Sequence, residues 1–459
     1  MLSSIREKLA HSSPAIRESV GRVSYWLPTR VRLGANFYVT LEEIDRARRD
    51  GEWARERQRH LLESVVAKAL STPYYSERAA YADRSEDIYE RLSQFPVLTR
   101  AEMTQNRDVM LTVPKSKADL VSTSGSSGKP AVFYLDKVRG ASEWAYVCDT
   151  WSRSGYHPDA WRAVLRGQRL GPKGKRLFVS RSTRELYLSP FGLDTPAVEN
   201  YWNEISKRQI EFLHGYPSSL AAVAKAALRH DPLNHRARIT GVFPVSEPLT
   251  PAQSELLRLA FPSAVALPFY GLSERVAFAE FNVESENYTF APLYGHVEVV
   301  DEVGKPVQIG QVGRIIATGL RLTAMPLLRY DTGDMARLEA VTTFGTPVVS
   351  SLRGKRTQEH LYTDSGAPIS TSALNVHSQA YSPILAFRFV QKTFGKVEVL
   401  IVLTPEGTSD DASLFAAELQ RNCGDRIKFD CQVLPSLPDT VNGKQKLVEI
   451  HIPEVAEAT

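Results

Sequence analysis

Cysteine is scarce in this chain: Cys148, Cys423 and Cys431 are scattered and odd in number, and no Cys-x-x-Cys occurs. That argues against a disulfide framework and against a cysteine zinc site, and it fits a reducing compartment. Charge of one sign is also lacking. The chain has 56 Lys and Arg against 52 Asp and Glu, a net charge of +4, which gives no reason to expect nucleic acid or an anionic membrane as partner. No apolar run is long enough to cross a bilayer. The opening "MLSSIREKLAHSSPAIRESVGRVSYWL" has basic residues but no continuous apolar stretch of the signal-peptide kind. Its apolar positions recur at helical spacing, which suits a helix packed on its own domain better than a membrane-surface helix. A cytoplasmic protein is expected, with a homodimer left open.

What is present is ordinary soluble composition, 43% hydrophobic and 24% charged over 459 residues, enough for two or three domains. Residues from about Leu41 to Leu70 read as one helix, stopped at Thr72-Pro73. Beyond "FPVLTRAEM" the pattern alternates. "ITGVFPVS" and "SAVALPFYG" read as short buried strands, "SSLAAVAKAALRH" and "PAQSELLRLAF" as helices, the second with Pro251 in its first turn. From "YGHVEVVDEVGKPVQIGQVGRIIATGL" the reading changes to β-hairpins, and beyond Gly354 to a strand, a helix and a strand. The expected fold class is α/β. A large N-terminal domain of mixed α/β layers with a β-hairpin subdomain (1–352) precedes a small mobile α+β domain (353–459), with the boundary near Leu352–Gly354.

The stretch "VSTSGSSGKP" (121–130) packs hydroxyls, glycines and a lysine into one loop. Such a loop can turn backbone N–H groups, hydroxyls and an ammonium toward an oxyanion. It does not follow the G-x-x-x-x-G-K-[ST] spacing, since Gly125 and Gly128 are too close and Pro130 stands where Ser or Thr belongs. Alone it is either a phosphate loop of another kind or a surface turn. Four further segments carry chemistry-bearing residues: "VSEPL" with Ser246 and Glu247, "FYGLSE" (269–274), "RYDTGD" (329–334) and "NGK" with Lys444. Taken singly, each has an ordinary reading: a helix cap, an exposed turn, a hairpin with a local ion pair, and a hairpin turn.

Their joint order resembles that of acyl-adenylate-forming enzymes, and more narrowly the branch of phenylacetate–coenzyme A ligases and CapK-like proteins of capsule gene clusters. "HGYPSSLA" (214–221), "VSEPL" (245–249), "ATGLRLTAMPLLRYDTGD" (317–334) and "ISTSALNVH" (369–377) carry the likeness, which extends from about residue 30 to 450. The resemblance implies ATP-dependent, AMP-forming activation of a carboxylic acid. By it, Ser122, Thr123, Ser124, Gly125, Ser126, Ser127, Gly128 and Lys129 would wrap the β- and γ-phosphates. Tyr270 and Gly271 would lie beside the adenine, with Ser246 and Glu247 on the adenine side. Ser273 would reach the α-phosphate, Glu274 would hold Mg²⁺, and Asp334 would accept from both ribose hydroxyls. Lys444 would bridge the α-phosphate and the substrate carboxylate, and then withdraw as the small domain rotates.

Two departures from the family pattern stand out. Where the hinge usually reads Gly-Arg, "LRGKRTQEHL" leaves Lys355 or Arg356 for the nucleotide contact, and lysine lacks the guanidinium fork. The cysteines many relatives carry in "FAEFNVESENYTFAPLYG" and "EAVTTFGTPVVS" are missing, so no zinc is expected. The resemblance implies a coenzyme A thiol as acceptor. An amine, on an amino sugar or amino acid, is the close rival, and a non-catalytic nucleotide-binding protein is the rival of another class. The acid pocket is expected between Ala141–Trp151, the "HGYPSS" loop and "LPFYG". There Trp144, Tyr146, Tyr216 and Phe269 suit either an aromatic or apolar acid, or ordinary core packing.

Overall fold

The computed structural model describes residues 28–452, apart from 82–84, 123–130, 138, 167–175, 182, 191–192, 232, 248, 355–359, 372–373, 375–378, 382 and 439–446. The expected single helix over Leu41–Leu70 is two helices, Ala35–Arg49 and Gly51–Leu70. Asp50 between them accepts from the Trp53 amide at 2.9 Å and so caps the second. An Asp-Gly pair is a helix-start signal that outweighs continuous periodicity.

A hairpin of β1 (Ala118–Ser122) and β2 (Val132–Asp136) follows. The six strands β3 (Arg162–Leu165), β4 (Leu177–Ser180), β5 (Glu185–Leu188), β6 (Phe212–Gly215), β7 (Gly241–Pro244) and β8 (Val265–Ala266) form one sheet in the order β4-β5-β3-β6-β7-β8. All neighbours are parallel except β4 and β5. Its back face (Ala163, Leu165, Leu186, Leu188, Leu213, Val242) packs with residues of the helices Thr195–Lys207, Pro217–His230 and Pro251–Ala260. The front face meets the helices Ala35–Arg49 and Gly140–Ser152. Chain order reverses between β3 and β6, and in open sheets of this kind ligands bind outside the carboxyl ends of the strands at that point.

"SAVALPFYG" is two strands in two different sheets, not one. β8 ends at Ala266, and β9 (Phe269–Gly271) opens a seven-stranded antiparallel sheet. Pro268 between them has no N–H to continue a ladder. β9 is followed by β10 (Phe278–Asn282), β11 (Asn287–Phe290), β12 (Gly295–Val300), β13 (Val312–Gly319), β14 (Tyr330–Val341) and β15 (Pro347–Arg353), in the order β12-β13-β14-β15-β11-β10-β9.

After the short pair β16 (His360–Tyr362) and β17 (Pro368–Ser370) comes a four-stranded sheet. It consists of β18 (Ile384–Thr393), β19 (Lys396–Leu403), β20 (Lys428–Val433) and β21 (Val448–Ile450), ordered β20-β19-β18-β21. The Ser409–Cys423 helix packs on it through Phe415 and Leu419. The architecture is thus mixed α/β, with a large N-terminal domain that includes an antiparallel subdomain and a smaller α+β C-terminal domain. Among the described residues, Arg426 of the small domain donates to Asp194 of the large one at 3.1 Å, the Tyr216 ring is buried within the core that Leu361, Phe387 and Phe415 build, and β1 lies against the Gln379–Tyr381 turn.

Candidate active site

"RYDTGD" divides its charges between structure and site. Arg329, at φ 47°, takes a left-handed backbone just before β14. Its guanidinium is buried and bonds both oxygens of Glu298, at 3.0 and 2.9 Å, and the carbonyls of Ser93, Phe95 and Gly304. Its amide donates to Thr318 Oγ1 and its carbonyl accepts from Leu98. Arg329 is therefore a structural bolt. Asp331 pairs with Arg314 at 2.8 Å and accepts from the Gly333 amide, so the local ion-pair reading holds for that residue. Gly333, at φ 77°, supplies the turn only glycine makes without strain. Thr332 Oγ1 donates to the Ile315 carbonyl and accepts from the Asp334 amide. These bonds fix the backbone beneath Asp334.

The Asp334 carboxylate accepts from the Tyr270 hydroxyl at 2.8 Å. Burial, and then the Asp334 charge, push the Tyr270 phenol well above its usual range, so it stays a donor. Two residues predicted for the nucleotide site thus meet directly. Glu274, four residues beyond Tyr270, is buried and accepts from the Tyr330 hydroxyl at 2.9 Å, while the Arg100 guanidinium stands 3.8 Å from the same Oε1. Burial and the Glu274 charge raise the Tyr330 phenol too. Tyr330 and Asp334 share β14, so one strand positions both carboxylates. Gly271 and Ser273 lie between Tyr270 and Glu274.

Could Glu274 hold magnesium? Among the described residues no three carboxylates, imidazoles or thiols gather around a point, so a protein-made cage is not offered. Magnesium needs none, because it binds through one or two carboxylates plus phosphate oxygens and keeps several waters. A single carboxylate oriented by Tyr330 fits that pattern.

Ser246 and Glu247 do not cap the following helix. Thr250 does, with Gln253 completing a capping box. Glu247 instead accepts from the Ser218 amide at 3.3 Å, at the N-terminus of the Pro217–His230 helix, whose dipole favours a carboxylate there. Its Oε1 is buried with no hydrogen-bond partner among the described residues. Ser246, at φ 66°, just beyond the end of β7, and Arg275, at φ 55°, next to Glu274, share the left-handed backbone of Arg329. Non-glycine residues held this way cost about 1–3 kcal/mol each.

At the switch point β3 and β6 come very close. A Cβ on Gly215 would lie 2.5 Å from the Leu165 carbonyl oxygen, and the Tyr216 amide donates to that oxygen at 3.0 Å. Ser122 is buried at the end of β1, paired with Val132. Asp136 on β2 anchors this hairpin by accepting from the Thr323 amide and hydroxyl and the Ala324 amide, on the approach to β14. Thr123, Ser124, Gly125, Ser126, Ser127, Gly128, Lys129, Lys355, Arg356 and Lys444 lie outside the described residues. Of the aromatic residues expected around the acid pocket, Tyr146 is core between Phe278 and Tyr294, and Tyr216 belongs to the small domain's core. Sequence reasoning missed Tyr330 and Arg100. Tyr330 stood inside a quoted motif, and the only signal for Arg100 was its place after a capping Thr99.

Residues 361–450 match the CapK C-terminal domain family. Protein CapK of Staphylococcus aureus is 23% identical over 365 residues, 77% of this chain and 79% of that one. The fold is shared with 2-hydroxyisobutyryl-CoA ligase in complex with 2-HIB-AMP and CoA in the thioesterification state: 16% identity, TM-score 0.53, covering 89% of this chain and 92% of that one. The chain is similar to CapK over most of its length and shares its fold with that CoA ligase. A second structure of the same ligase, in the postadenylation state with R3-HIB-AMP, is 17% identical with a TM-score of 0.50 and covers 87% of this chain and 90% of that one. No helix among the described residues is long and apolar enough to cross a membrane.

Proposed function

We propose that this chain activates a carboxylic acid with ATP and passes the acyl group to the thiol of coenzyme A. The carboxylate oxygen attacks the α-phosphorus, the bond to the bridging oxygen breaks, and pyrophosphate leaves. The thiol sulfur then attacks the acyl carbon and AMP departs. Two anions must meet in the first step, so the demand on the protein is positioning and charge stabilisation.

The observation that supports this reading is the direct bond between Tyr270 and Asp334, which brings together two motifs 64 residues apart that the resemblance assigns to the nucleotide. Asp334, oriented by that phenol, is the ribose acceptor, and Tyr270 with Gly271 flanks the adenine. Glu247 lies on the adenine side. Glu274 is the residue that would hold magnesium, which when bound would neutralise phosphate charge. Ser122 opens the loop through Lys129 that grips the departing phosphates, Ser273 reaches the α-phosphate, and Lys444 bridges it to the carboxylate. The domains divide near Leu352–Gly354, and Lys355 or Arg356 replaces the hinge arginine. The small domain turns between the two half-reactions.

The test is ATP-dependent pyrophosphate release with a panel of carboxylic acids, followed by identification of the product formed with coenzyme A or with amino sugars and amino acids. A thioester is the expected product, and an amide would move the acceptor to the amine. ATP binding without acid-dependent pyrophosphate release would leave a non-catalytic nucleotide-binding protein.

A further inference from the structure

Parallel strands covered on both faces are normally apolar on both. The back face of the six-stranded sheet obeys this. The front face carries Arg162, Glu185 and His214, all buried. Arg162 and Glu185 compensate each other: they form an ion pair, the Tyr187 hydroxyl donates to Glu185, Arg162 donates to the Tyr156 hydroxyl, and the Trp144 ring lies 4.6 Å from the guanidinium.

His214 has no such company. It is 3% exposed, and its Nδ1 is buried with no hydrogen-bond partner among the described residues. The same holds for Nε1 of the fully buried Trp151, whose ring centroid is 4.7 Å from that of His214. The large majority of buried side-chain polar atoms find a partner in protein or ordered water, and here two unpartnered nitrogens sit on rings in contact with each other. His214 stands one residue before the end of β6, beside β3 at the switch point, below Gly215 and the helix end that Glu247 faces.

The chemistry of the missing group can be read from the two rings. An indole N–H only donates, and in the tautomer that carries its hydrogen on Nε2 a neutral imidazole only accepts at Nδ1. A hydroxyl serves both, accepting from Trp151 Nε1 and donating to His214 Nδ1. His214 is held neutral, by burial first and then by the charges of Arg166 and Arg162. That same positive field repels an ammonium.

We propose that the acid taken by this site is a hydroxy acid whose hydroxyl lodges between Trp151 and His214. This rests on the adenylation reading for what becomes of the acid, but not for how the acid is held.

The experiment uses the full chain with ATP and straight-chain acids of graded length, each as the unsubstituted, hydroxylated and amino form. Pyrophosphate release and the acid-induced shift in melting temperature are both read. A hydroxy acid should be used at least about tenfold better in kcat/KM than its unsubstituted parent, since a site built to bond a hydroxyl rejects the analogue lacking it. His214→Phe, which keeps a ring against Trp151, should erase that preference without lowering the melting temperature, because it removes an unsatisfied buried polar group. His214→Gln should keep part of the preference. Equal or better use of the unsubstituted acids overturns the proposal, as does a drop of several degrees in the melting temperature of His214→Phe, which would mean that the imidazole serves the fold. Absence of pyrophosphate with every acid would sink the adenylation reading instead. The thermal shifts then decide alone: stabilisation by a hydroxy acid beyond its parent supports the proposal, and no difference overturns it.

Discussion

Tyr270 lies on β9, an edge strand, yet its hydroxyl reaches Asp334 on β14 with β15, β11 and β10 intervening in the sheet order. The antiparallel sheet therefore curls until its edge meets its own interior strand. The two motifs that sequence order alone could only juxtapose on paper are brought together by that curl.

Tyr270→Phe should weaken ATP binding, measured by calorimetry, by up to roughly 10–150-fold, because a hydrogen bond to a charged group contributes about 1.5–3 kcal/mol net. Asp334→Ala should weaken it more. Neither should unfold the protein. A marked loss of thermal stability at unchanged ATP affinity would return "RYDTGD" to a plain hairpin.

Arg329→Met should be the most destabilising change in that motif. It strands Glu298 and three carbonyls, and breaking a buried pair from one side costs about 3–5 kcal/mol. Urea unfolding should show the loss. A midpoint within error of wild type would mean that the guanidinium does not hold the strand.

Tyr330→Phe tests the role given to Glu274. Without the phenol the carboxylate loses its orienting donor. The magnesium concentration for half-maximal pyrophosphate release should rise several-fold while the melting temperature changes little. An unchanged magnesium requirement would separate Glu274 from the cation.

His214 also sets a pH dependence. Its folded-state pKa lies well below the ordinary 6.5, so the unfolded chain binds the extra proton first. The stabilisation is complete above about pH 6.5 and is lost as pH falls toward the folded value. Arg162, paired with Glu185, and Arg166 are the charges around it. Between pH 7 and 5 the melting temperature of wild type should fall more steeply than that of His214→Phe, and parallel curves would count against a neutral buried imidazole.

Arg426→Ala should loosen the join between the domains, because Arg426 donates to the same Asp194 carboxylate that caps the Thr195–Lys207 helix and pairs with Arg176. Distances between spin labels on the two domains should broaden. Unchanged distances would show that this ion pair is incidental, as exposed pairs often are.

Much of this was readable in the chain. The Pro217–His230 and Pro251–Ala260 helices and the β12–β13 hairpin follow from local periodicity and turn residues. What escaped were features decided by distance. The break at Asp50 was hidden under continuous helical spacing, and the split of 263–271 depends on which sheet each half joins. Arg100 and Tyr330 acquire meaning only once β14 brings them to Glu274. His214 was read as part of a loop, whereas its place on a buried strand between Val164 and Phe243 is what makes its orphan nitrogen informative.

Tyr216 has its amide bonded to the Leu165 carbonyl in the large domain and its ring buried among Leu361, Phe387 and Phe415 of the small one. The small domain is thus a socket completed by a plug from its neighbour. Removing a ring of this size from water contributes about 1.5–3 kcal/mol. Residues 361–450 expressed alone would present an open apolar hole at that place, and a dye that fluoresces on hydrophobic surfaces should light up on the fragment and stay dark on the whole chain.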